Sequence, residues 1–224
     1  MPDRYCTVQQ MRKWLTAPGQ GAGKSVFEMG VYPGRFMVHF GKAGYELNGI
    51  DQTQYLPQME AWLKAQHFQT GRFLRQDVFE IDRSRKYDVV FSAGFIEHVT
   101  NFEELVQLHA DLAAPGGYVY ITAPNFGGRI QHWLHRQLDQ ENLSRHYVPS
   151  MDVQRWVAVL ERNGFEILEA GYIGGFDFWA GDQPRSGWRK WLLKLIRWLL
   201  PLLQKLPLPD TRLYSPGCVM LARK

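Results

Sequence analysis

The stretch Glu28-Met29-Gly30-Val31-Tyr32-Pro33-Gly34 combines an acidic side chain with two glycines at a predicted turn. A buried strand is predicted before this turn and a helix after it, with Pro33 as the first helical residue. Such a turn aims backbone N–H groups at a crevice beside the strand ends, and glycine lets a ligand approach the backbone closely. Asp51 ends the next predicted strand about 20 residues on, where a carboxylate can bind ribose hydroxyls. The pattern therefore predicts a site for a ligand that contains a ribose.

A second glycine-rich stretch, residues 19–25, reads GQGAGKS. A phosphate-binding loop needs G-x-x-x-x-G-K-[ST] between a strand and a helix. Here Pro18 stands at the place of the first glycine, and the stretch follows a predicted helix and precedes a predicted strand. We predict a flexible connection into the first strand, and no site for a nucleoside triphosphate.

Strands and helices alternate in the predicted order of elements. We predict strands over residues 24–29, 45–50, 72–75, 87–92, 118–122, 165–168 and 218–222. Helices are predicted over residues 7–16, 33–43, 53–63, 101–113 and 150–160, with Thr53 and Ser150 as caps of the third and the fifth. This alternation predicts an α/β fold in which helices cover both faces of a mostly parallel sheet.

Five motifs follow one another in a specific order along the chain. They are ExGxxPG from Glu28, GID ending at Asp51, QDVF from Gln76, YDVVFSAGFIEHV from Tyr87 and PGGYVYITAPN from Pro115. With this ordered set, the chain resembles class I S-adenosylmethionine-dependent methyltransferases, closest to the ubiquinone-type and related small-molecule enzymes. The resemblance covers residues 24–172 and the final strand.

The resemblance implies a fold and a co-substrate. The fold is a Rossmann-like three-layer sandwich with seven strands in the order 3-2-1-4-5-7-6 and strand 7 antiparallel. We expect it to form a single domain over residues 1–224, with an inserted basic segment at residues 183–209. The implied co-substrate and methyl donor is S-adenosyl-L-methionine.

The same resemblance assigns the first part of the donor site. It implies that Glu28, Gly30 and Gly34 form the donor turn and that Asp51 accepts hydrogen bonds from both ribose hydroxyls. The chain departs from the family pattern at Tyr32, which stands where the family has a glycine. Three consequences remain open: Tyr32 narrows the donor pocket, reaches the acceptor, or abolishes donor binding.

The remaining donor contacts implied by the resemblance lie at three strand ends. Gln52 is expected at the adenine edge. The carboxylate of Asp77 is expected to bind the adenine amino group, and the backbone N–H of Val78 a ring nitrogen. The carbonyl groups of Ser92 and Ala93 are expected to face the donor's ammonium group, although a purely structural Ser92 remains open.

Two histidines are candidates for a general base. His98 follows Glu97 in FIEHV, where the family often has Glu-His near the reacting methyl group. An imidazole has a pKa near neutrality and can take a proton from an acceptor hydroxyl. Related enzymes also carry a histidine near His146, which makes it the second candidate. A structural role remains open for both.

Three further polar residues fall near the predicted acceptor side. Asn125 follows the fifth strand and is a candidate for the acceptor pocket. His132 and His135 fall on a predicted helix or lid, but no acidic or cysteine partner is evident beside them. Cys6 and Cys218 lie near opposite ends of the chain and belong to no metal-binding cluster. We therefore predict no metal site.

Residues 183–209 form a basic segment. They hold six Lys or Arg side chains and no Asp or Glu, whereas the rest of the chain holds 20 basic and 22 acidic side chains. Within this segment Trp188–Leu200 is predicted as a helix with its cations on an arc of about 140° and its apolar side chains on the other side. Pro201 is expected to end or kink this helix.

The charges interrupt the apolar run of this helix, so we predict no transmembrane span. Two interpretations remain open. The helix lies at an anionic membrane surface, with tryptophan at the headgroup level. Alternatively, it packs its apolar side on the domain or on a second subunit, as in a homodimer.

These features predict transfer of a methyl group to an O or N atom of a small-molecule acceptor, lipid-linked or saccharide in kind. The alternative is a catalytically inactive methyltransferase-fold scaffold that acts as a membrane or partner adaptor through its basic helix. The missing G-x-G-x-x-G disfavours a nicotinamide-dependent oxidoreductase.

Composition and charge set the expected location and exclude one class of partner. No nucleic-acid partner is predicted, because the net charge of +4 arises from one segment. Residues 1–14 lack the apolar region of a secretory signal, so we expect a cytoplasmic protein, peripheral at the inner face of a membrane.

Overall fold

A seven-stranded sheet forms the centre of the protein in the computed structural model, which describes residues 6–224. The strands are β1 (Ser25–Met29), β2 (Glu46–Ile50), β3 (Thr70–Leu74), β4 (Tyr87–Ala93), β5 (Ala113–Pro124), β6 (Glu166–Ile173) and β7 (Gly217–Arg223). Their order is β3-β2-β1-β4-β5-β7-β6. β7 is antiparallel to both of its neighbours, and the other pairs are parallel. The predicted strand order is confirmed.

Eight α-helices connect or flank these strands in the described part of the chain. They are α1 (Cys6–Trp14), α2 (Met37–Ala43), α3 (Leu56–Ala65), α4 (Phe102–Leu112), α5 (Arg129–Leu138), α6 (Gln140–Arg145), α7 (Val153–Arg162) and α8 (Gly187–Leu203). Residues 1–5 and the side chain of Cys6 lie outside the described residues. The prediction that residues 1–14 hold no secretory signal therefore falls partly outside them.

Helices cover both faces of the sheet, as predicted. Successive side chains of a strand point to opposite faces. Val26 therefore packs with α1, α2 and α3, whereas the next residue, Phe27, packs with α4 and α7. α5 and α8 share a third, smaller apolar cluster around Leu134 and Leu193. The stretch at residues 19–23 is a turn between α1 and β1, as expected for a connection.

The predicted starts of α2, α3 and α7 were wrong. α2 begins at Met37 and not at Pro33, because Gly34 has a φ of +80° and cannot belong to a right-handed helix. α3 begins at Leu56, and the Thr53 hydroxyl accepts a hydrogen bond only from the Tyr55 N–H, at 3.4 Å.

The cap of α7 is Asp152, whose side chain accepts from the Gln154 N–H. Ser150 belongs to the preceding 3₁₀ turn, where its hydroxyl donates to the Tyr147 carbonyl. α8 does not end at Pro201 but continues to Leu203. β6 is also longer than predicted, because pairing with β7 extends it to Ile173.

Candidate active site

The turn after β1 requires its two glycines. Gly30 has a φ of +72°, and a Cβ at this position would lie 2.5 Å from the Phe95 ring. A Cβ on Gly34 would lie 2.9 Å from the sulfur of Met59. Both positions therefore favour glycine by backbone conformation and by close packing. The Gly30 N–H donates to the Ile50 carbonyl at 2.9 Å, which joins the turn to the end of β2.

Glu28 is buried at the end of β1, and its Oε2 has no hydrogen-bond partner within the described part of the chain. Burial raises the pKa of this carboxyl well above its usual value, with Arg35 opposing the shift and Asp51 adding to it. A buried acceptor without a partner is costly. The ammonium group of an amino-acid ligand would satisfy it, so this position fits a methionine-derived donor.

A cleft of about 390 Å³ opens where β2, β3 and β4 end. It is lined by Ile50, Asp51, Gln52, Gln76, Asp77, Val78, Phe79, Phe95, His98, Val99, Thr100 and Asn101. Four residues predicted to hold the donor and one predicted base thus line one cavity. Its position at the carboxyl ends of parallel strands is where nucleotide-bearing ligands bind in open α/β sheets.

The carboxylate of Asp51 is held by backbone N–H groups from two sides. Its Oδ2 accepts from the Tyr32 N–H at 3.1 Å, and its Oδ1 accepts from the Thr53 N–H at 2.9 Å. Each carboxylate oxygen can accept a second hydrogen bond. Asp51 therefore has a fixed orientation and still has capacity for two ribose hydroxyls.

Asp77 and Gln52 are joined across the cleft. The Gln52 amide donates to Asp77 Oδ2 at 2.9 Å, and the Phe79 N–H donates to Oδ1 at 2.9 Å. Val78 begins the 3₁₀ turn that follows Asp77 and is buried. The Asp77 carboxylate and the Val78 backbone therefore form part of the cleft wall, at the place where the resemblance implies that adenine binds.

The Tyr32 side chain lies outside the set of residues that line the cleft. It is half-exposed, and its ring centre is 6.1 Å from that of Tyr55, just before α3. Only the backbone N–H of Tyr32 contacts a donor-site candidate, through its bond to Asp51. The large side chain at this position leaves the cleft open.

The side chain of Ser92 belongs to the core. His109 on α4 lies 2.8 Å from the Leu105 carbonyl through Nδ1 and 3.1 Å from Ser92 Oγ through Nε2. A carbonyl only accepts, so Nδ1 carries the proton and the Ser92 hydroxyl donates to Nε2. Burial lowers the pKa of His109 to about 4, which keeps the ring neutral. Ala93 ends β4 and is half-buried beside this pair.

His98 and His146 lie together beside the cleft, with ring centres 4.8 Å apart. Nδ1 of His98 faces the Arg145 carbonyl at 3.3 Å, and Nδ1 of His146 faces the Asn142 carbonyl. With Nδ1 as the donor, Nε2 of each neutral ring keeps its lone pair and can take a proton. Burial lowers the pKa of His146; the Asn142 carbonyl opposes this shift, and the nearby His98 adds to it.

Glu97 lies behind these histidines and is buried, with an Oε2 that has no partner among the described residues. Burial raises the pKa of its carboxyl to about 8. The ligand atoms of Glu97, His98 and His146 lie within 4.8 Å of one another. Such a set contains the atom types that bind metal ions. The sequence analysis missed this cluster because His146 reaches it only through the fold.

An aromatic wall borders the two candidate bases. The Phe126 ring centre lies 4.9 Å from that of His146, 3.9 Å from that of His135 and 5.7 Å from that of Trp179. The sequence did not indicate Phe126 or Trp179, because neither lies in a motif. Phe126 and His135 are fully buried, so only the partly exposed Trp179 is suited to contact a flat or apolar acceptor.

Two expectations for the acceptor side were wrong. Asn125 does not offer its amide to a pocket, because its Nδ2 donates to the carbonyls of Arg212 and Ser215 and its Oδ1 accepts from the Gly128 N–H. His135 does have an acidic partner, since its Nδ1 lies 3.2 Å from Asp139 Oδ2.

The fold and the cleft define a class I methyltransferase, and comparisons with known proteins agree. Residues 5–170 match the methyltransferase domain family. The chain belongs to this family of class I S-adenosylmethionine-dependent methyltransferases.

Two curated relatives are ubiquinone biosynthesis O-methyltransferases from Shewanella. The relative from Shewanella halifaxensis is 31% identical over 108 residues, and the relative from Shewanella pealeana is 26% identical over 109 residues. Each alignment spans 46% of this chain and 44% of the relative, so the chain matches less than half the length of these proteins.

Solved structures share the fold at low identity. Magnesium protoporphyrin IX methyltransferase from Synechocystis with bound SAH has a TM-score of 0.63 and 20% identity, covering 97% of this chain and 82% of that one. An N-methyltransferase from Bradyrhizobium japonicum in complex with S-adenosyl-L-homocysteine has a TM-score of 0.59 and 12% identity, covering 97% and 84%. The three-layer sandwich of this chain is therefore shared with two enzymes that were crystallised with S-adenosyl-L-homocysteine (SAH) bound.

Proposed function

We propose that the protein transfers the methyl group of S-adenosyl-L-methionine to an O or N atom of a small-molecule acceptor. The observation that carries this proposal is the cleft in which Asp51, Gln52, Asp77 and Val78 meet His98. When bound, the co-substrate supplies a methyl group already activated on a sulfonium sulfur. The protein then has to align the acceptor with the carbon–sulfur bond and exclude water.

Three acidic side chains orient the co-substrate in this proposal. Asp51 accepts from the ribose hydroxyls, Asp77 from the adenine amino group, and Glu28 from the ammonium group. Gly30 lets the Phe95 ring pack against the turn, and Phe95 excludes water from that side. Each of these groups is fixed by hydrogen bonds or packing, which lowers the entropic cost of alignment.

His98 is the candidate general base because it lines the cleft. For an acceptor hydroxyl, Nε2 of His98 would take the O–H proton as the oxygen bonds to the methyl carbon and the carbon–sulfur bond breaks, with neutral S-adenosyl-L-homocysteine as the leaving group. The Arg145 carbonyl holds Nδ1 and so orients the ring. His146 lies behind His98 and is the second candidate, either receiving the proton itself or positioning the His98 ring.

The acceptor in this proposal is a flat or apolar molecule, lipid-linked or saccharide in kind, that contacts Trp179, the partly exposed ring of the aromatic wall. The names of the curated relatives support oxygen as the accepting atom, and the name of one structural neighbour supports nitrogen. The aromatic wall favours a ring or a lipid chain over a strongly charged acceptor.

The co-substrate site is tested by titrating the protein with S-adenosyl-L-homocysteine in a calorimeter. We expect binding by the unmodified protein and a loss of about tenfold to a hundredfold in affinity for Asp51→Asn. The replacement removes the charge that strengthens hydrogen bonds to the ribose, and such bonds contribute about 1.5–3 kcal/mol.

Asp182→Asn is the matched control, because Asp182 is exposed and lies outside the cleft. It should bind as the unmodified protein does. Equal binding by all three proteins would contradict the site. No binding by the unmodified protein would favour the alternative, a scaffold with the same fold and no catalytic activity.

A further inference from the structure

Large apolar side chains that stay exposed are concentrated between α5 and β7 in the described chain. They are Ile130, Trp133, Tyr147, Trp188, Trp191, Leu195, Trp198, Leu202, Leu206 and Leu213. A concentration of this kind marks a surface that contacts an apolar partner or a membrane. α8 contributes five of them and is the element to explain.

One face of α8 packs inward on the protein. Leu193 is buried in a cluster with Leu134 and Leu138 of α5 and with Phe178, and Leu192 and Ile196 flank this contact. α8 is therefore held against the domain and does not need a partner to cover this side.

A second face of α8 is apolar and exposed. We call it the apolar stripe; it consists of Trp188, Trp191, Leu195, Trp198 and Leu202. These side chains are exposed by 56%, 68%, 51%, 75% and 60%, respectively. At 100° per residue they share an arc of about 80°, and at 1.5 Å per residue they extend over about 21 Å. Three exposed tryptophans in one row have no covering element within the described chain.

The third face of α8 is positively charged. The cationic row, Lys190, Lys194 and Arg197, lies on an arc of about 60° directly beside the apolar stripe. All three side chains are exposed, and the Lys194 ammonium lies 4.8 Å from the Trp191 ring centre. No Asp or Glu occurs between residues 183 and 209, so nothing within this segment neutralises the row.

We propose that α8 docks on an anionic lipid bilayer surface and lies parallel to it. The apolar stripe inserts at the level of the headgroups, where tryptophan is preferred, and the cationic row contacts lipid phosphates. Among residues 6–224, no helix is both long enough and apolar enough to cross a bilayer. In this orientation one face of α8 packs on the domain, the apolar stripe contacts the bilayer, and the cationic row contacts the headgroups.

The charge of α8 favours a membrane over a second copy of the chain. A symmetric contact through the apolar stripe would bring two cationic rows side by side, and the segment offers no carboxylate to pair with them. Anionic headgroups supply that missing charge. An anionic bilayer can therefore contact both the apolar stripe and the cationic row.

Docking through α8 also places the candidate active site near the membrane. α5 packs on α8 through Leu134 and Leu138, and its His135 contacts Phe126 of the aromatic wall. A lipid-linked acceptor would reach the cleft over α5. This step rests on the proposed methyl transfer, whereas the docking itself does not.

The proposal is tested by co-sedimentation with vesicles of phosphatidylcholine alone or mixed with phosphatidylglycerol. We expect binding only to the anionic vesicles, with a blue shift of tryptophan emission. Replacing Lys190, Lys194 and Arg197 by Gln should weaken this binding on the order of a hundredfold, because each cation near the surface contributes about fivefold. Replacing Trp191 and Trp198 by Ala should reduce the blue shift strongly, because Trp188 is then the last tryptophan of the apolar stripe.

Matched controls change the same residue types elsewhere on the surface. Lys24, Lys42 and Arg162, each replaced by Gln, alter the net charge equally, and Trp62→Ala removes an exposed tryptophan of α3. All variants should melt as the unmodified protein does in circular dichroism, since the residues are exposed. Absence of binding to anionic vesicles, or equal binding by the row variant and its control, would overturn the proposal. So would a dimer in sedimentation velocity that the Trp191 and Trp198 replacements dissociate.

Because S-adenosyl-L-homocysteine binding is measured without vesicles, failure of the docking proposal and failure of the proposed function are separate results.

Discussion

His109 lies on α4 and contacts the end of β4 through Nε2, which accepts from the Ser92 hydroxyl, while Nδ1 donates to the Leu105 carbonyl of α4. Its folded-state pKa of about 4 lies below the value of about 6.5 expected in an unfolded chain. The unfolded state therefore takes up more protons as the solution becomes acidic. The stability that this histidine contributes is complete above pH about 6.5 and is lost as the pH falls toward 4.

We predict that His109→Gln flattens this pH dependence. Between pH 7 and pH 5, the free energy of unfolding of the unmodified protein should fall by about 2 kcal/mol more than that of the variant. Urea unfolding at the two pH values measures the difference. His132→Gln, on the exposed side of α5, should keep the unmodified slope. Equal slopes for the unmodified protein and His109→Gln would contradict the assigned hydrogen bonds.

At the scale of elements, Asn125 connects the end of β5 to the chain that leads into β7. Its amide donates to the Arg212 and Ser215 carbonyls at 2.9 and 2.8 Å, and the side chain is fully buried. Asn125→Asp keeps the shape and removes both donors, so two carbonyls would face a buried carboxyl group. We expect a loss of about 2–4 kcal/mol in the free energy of unfolding.

Thermal and urea unfolding would measure this loss. Gln58→Glu, at an exposed position of α3, is the control and should change stability by less than about 0.5 kcal/mol. A small effect of Asn125→Asp would show that residues 211–216 stay in place without these two bonds.

The order and type of the strands were predictable from local patterns and from the resemblance, because each strand is a short apolar run between turn signals. Helix starts were less predictable, because several residues near a boundary can serve as caps. Ser150 and Asp152 are both good N-caps, and only the hydrogen bond from Gln154 decides for Asp152. Gly34 shows the same limit, since its left-handed conformation is set by the packing of the whole turn.

That Asp51, Asp77 and their neighbours line one cleft was predictable, because these residues follow strand ends at fixed spacings. The acceptor side was not, because its contacts join residues that are far apart in sequence. Phe126, His146 and Trp179 come together only when α5, α6 and the chain after β6 pack on one another. The amphipathic pattern of α8 likewise did not predict which of its apolar side chains would be buried against the domain and which would stay exposed.

At the scale of the whole molecule, the candidate active site and the surface of α8 use different physical forces. The cleft holds the Asp51 carboxylate in place with hydrogen bonds from the Tyr32 and Thr53 N–H groups, whereas α8 exposes its charges to solvent. Salt screens exposed charges far more strongly than partly buried contacts. The two activities should therefore respond differently to ionic strength.

We predict that raising sodium chloride from about 0.05 M to about 0.5 M weakens binding to anionic vesicles by more than tenfold. Affinity for S-adenosyl-L-homocysteine should stay within about twofold over the same range. Co-sedimentation and calorimetry on one preparation provide both values. Vesicle binding that does not change with salt would mean that the tryptophans alone drive it.

The position of β7 has a consequence for how the protein is assembled on the ribosome. β7 separates β5 from β6 in the sheet, yet it follows both of them, and α8 as well, along the chain. β6 therefore has no hydrogen-bonded neighbour until residues 217–223 have been synthesised. Until then the facing edges of β5 and β6 stay unpaired, so the sheet closes around its last strand only after α8 has been made.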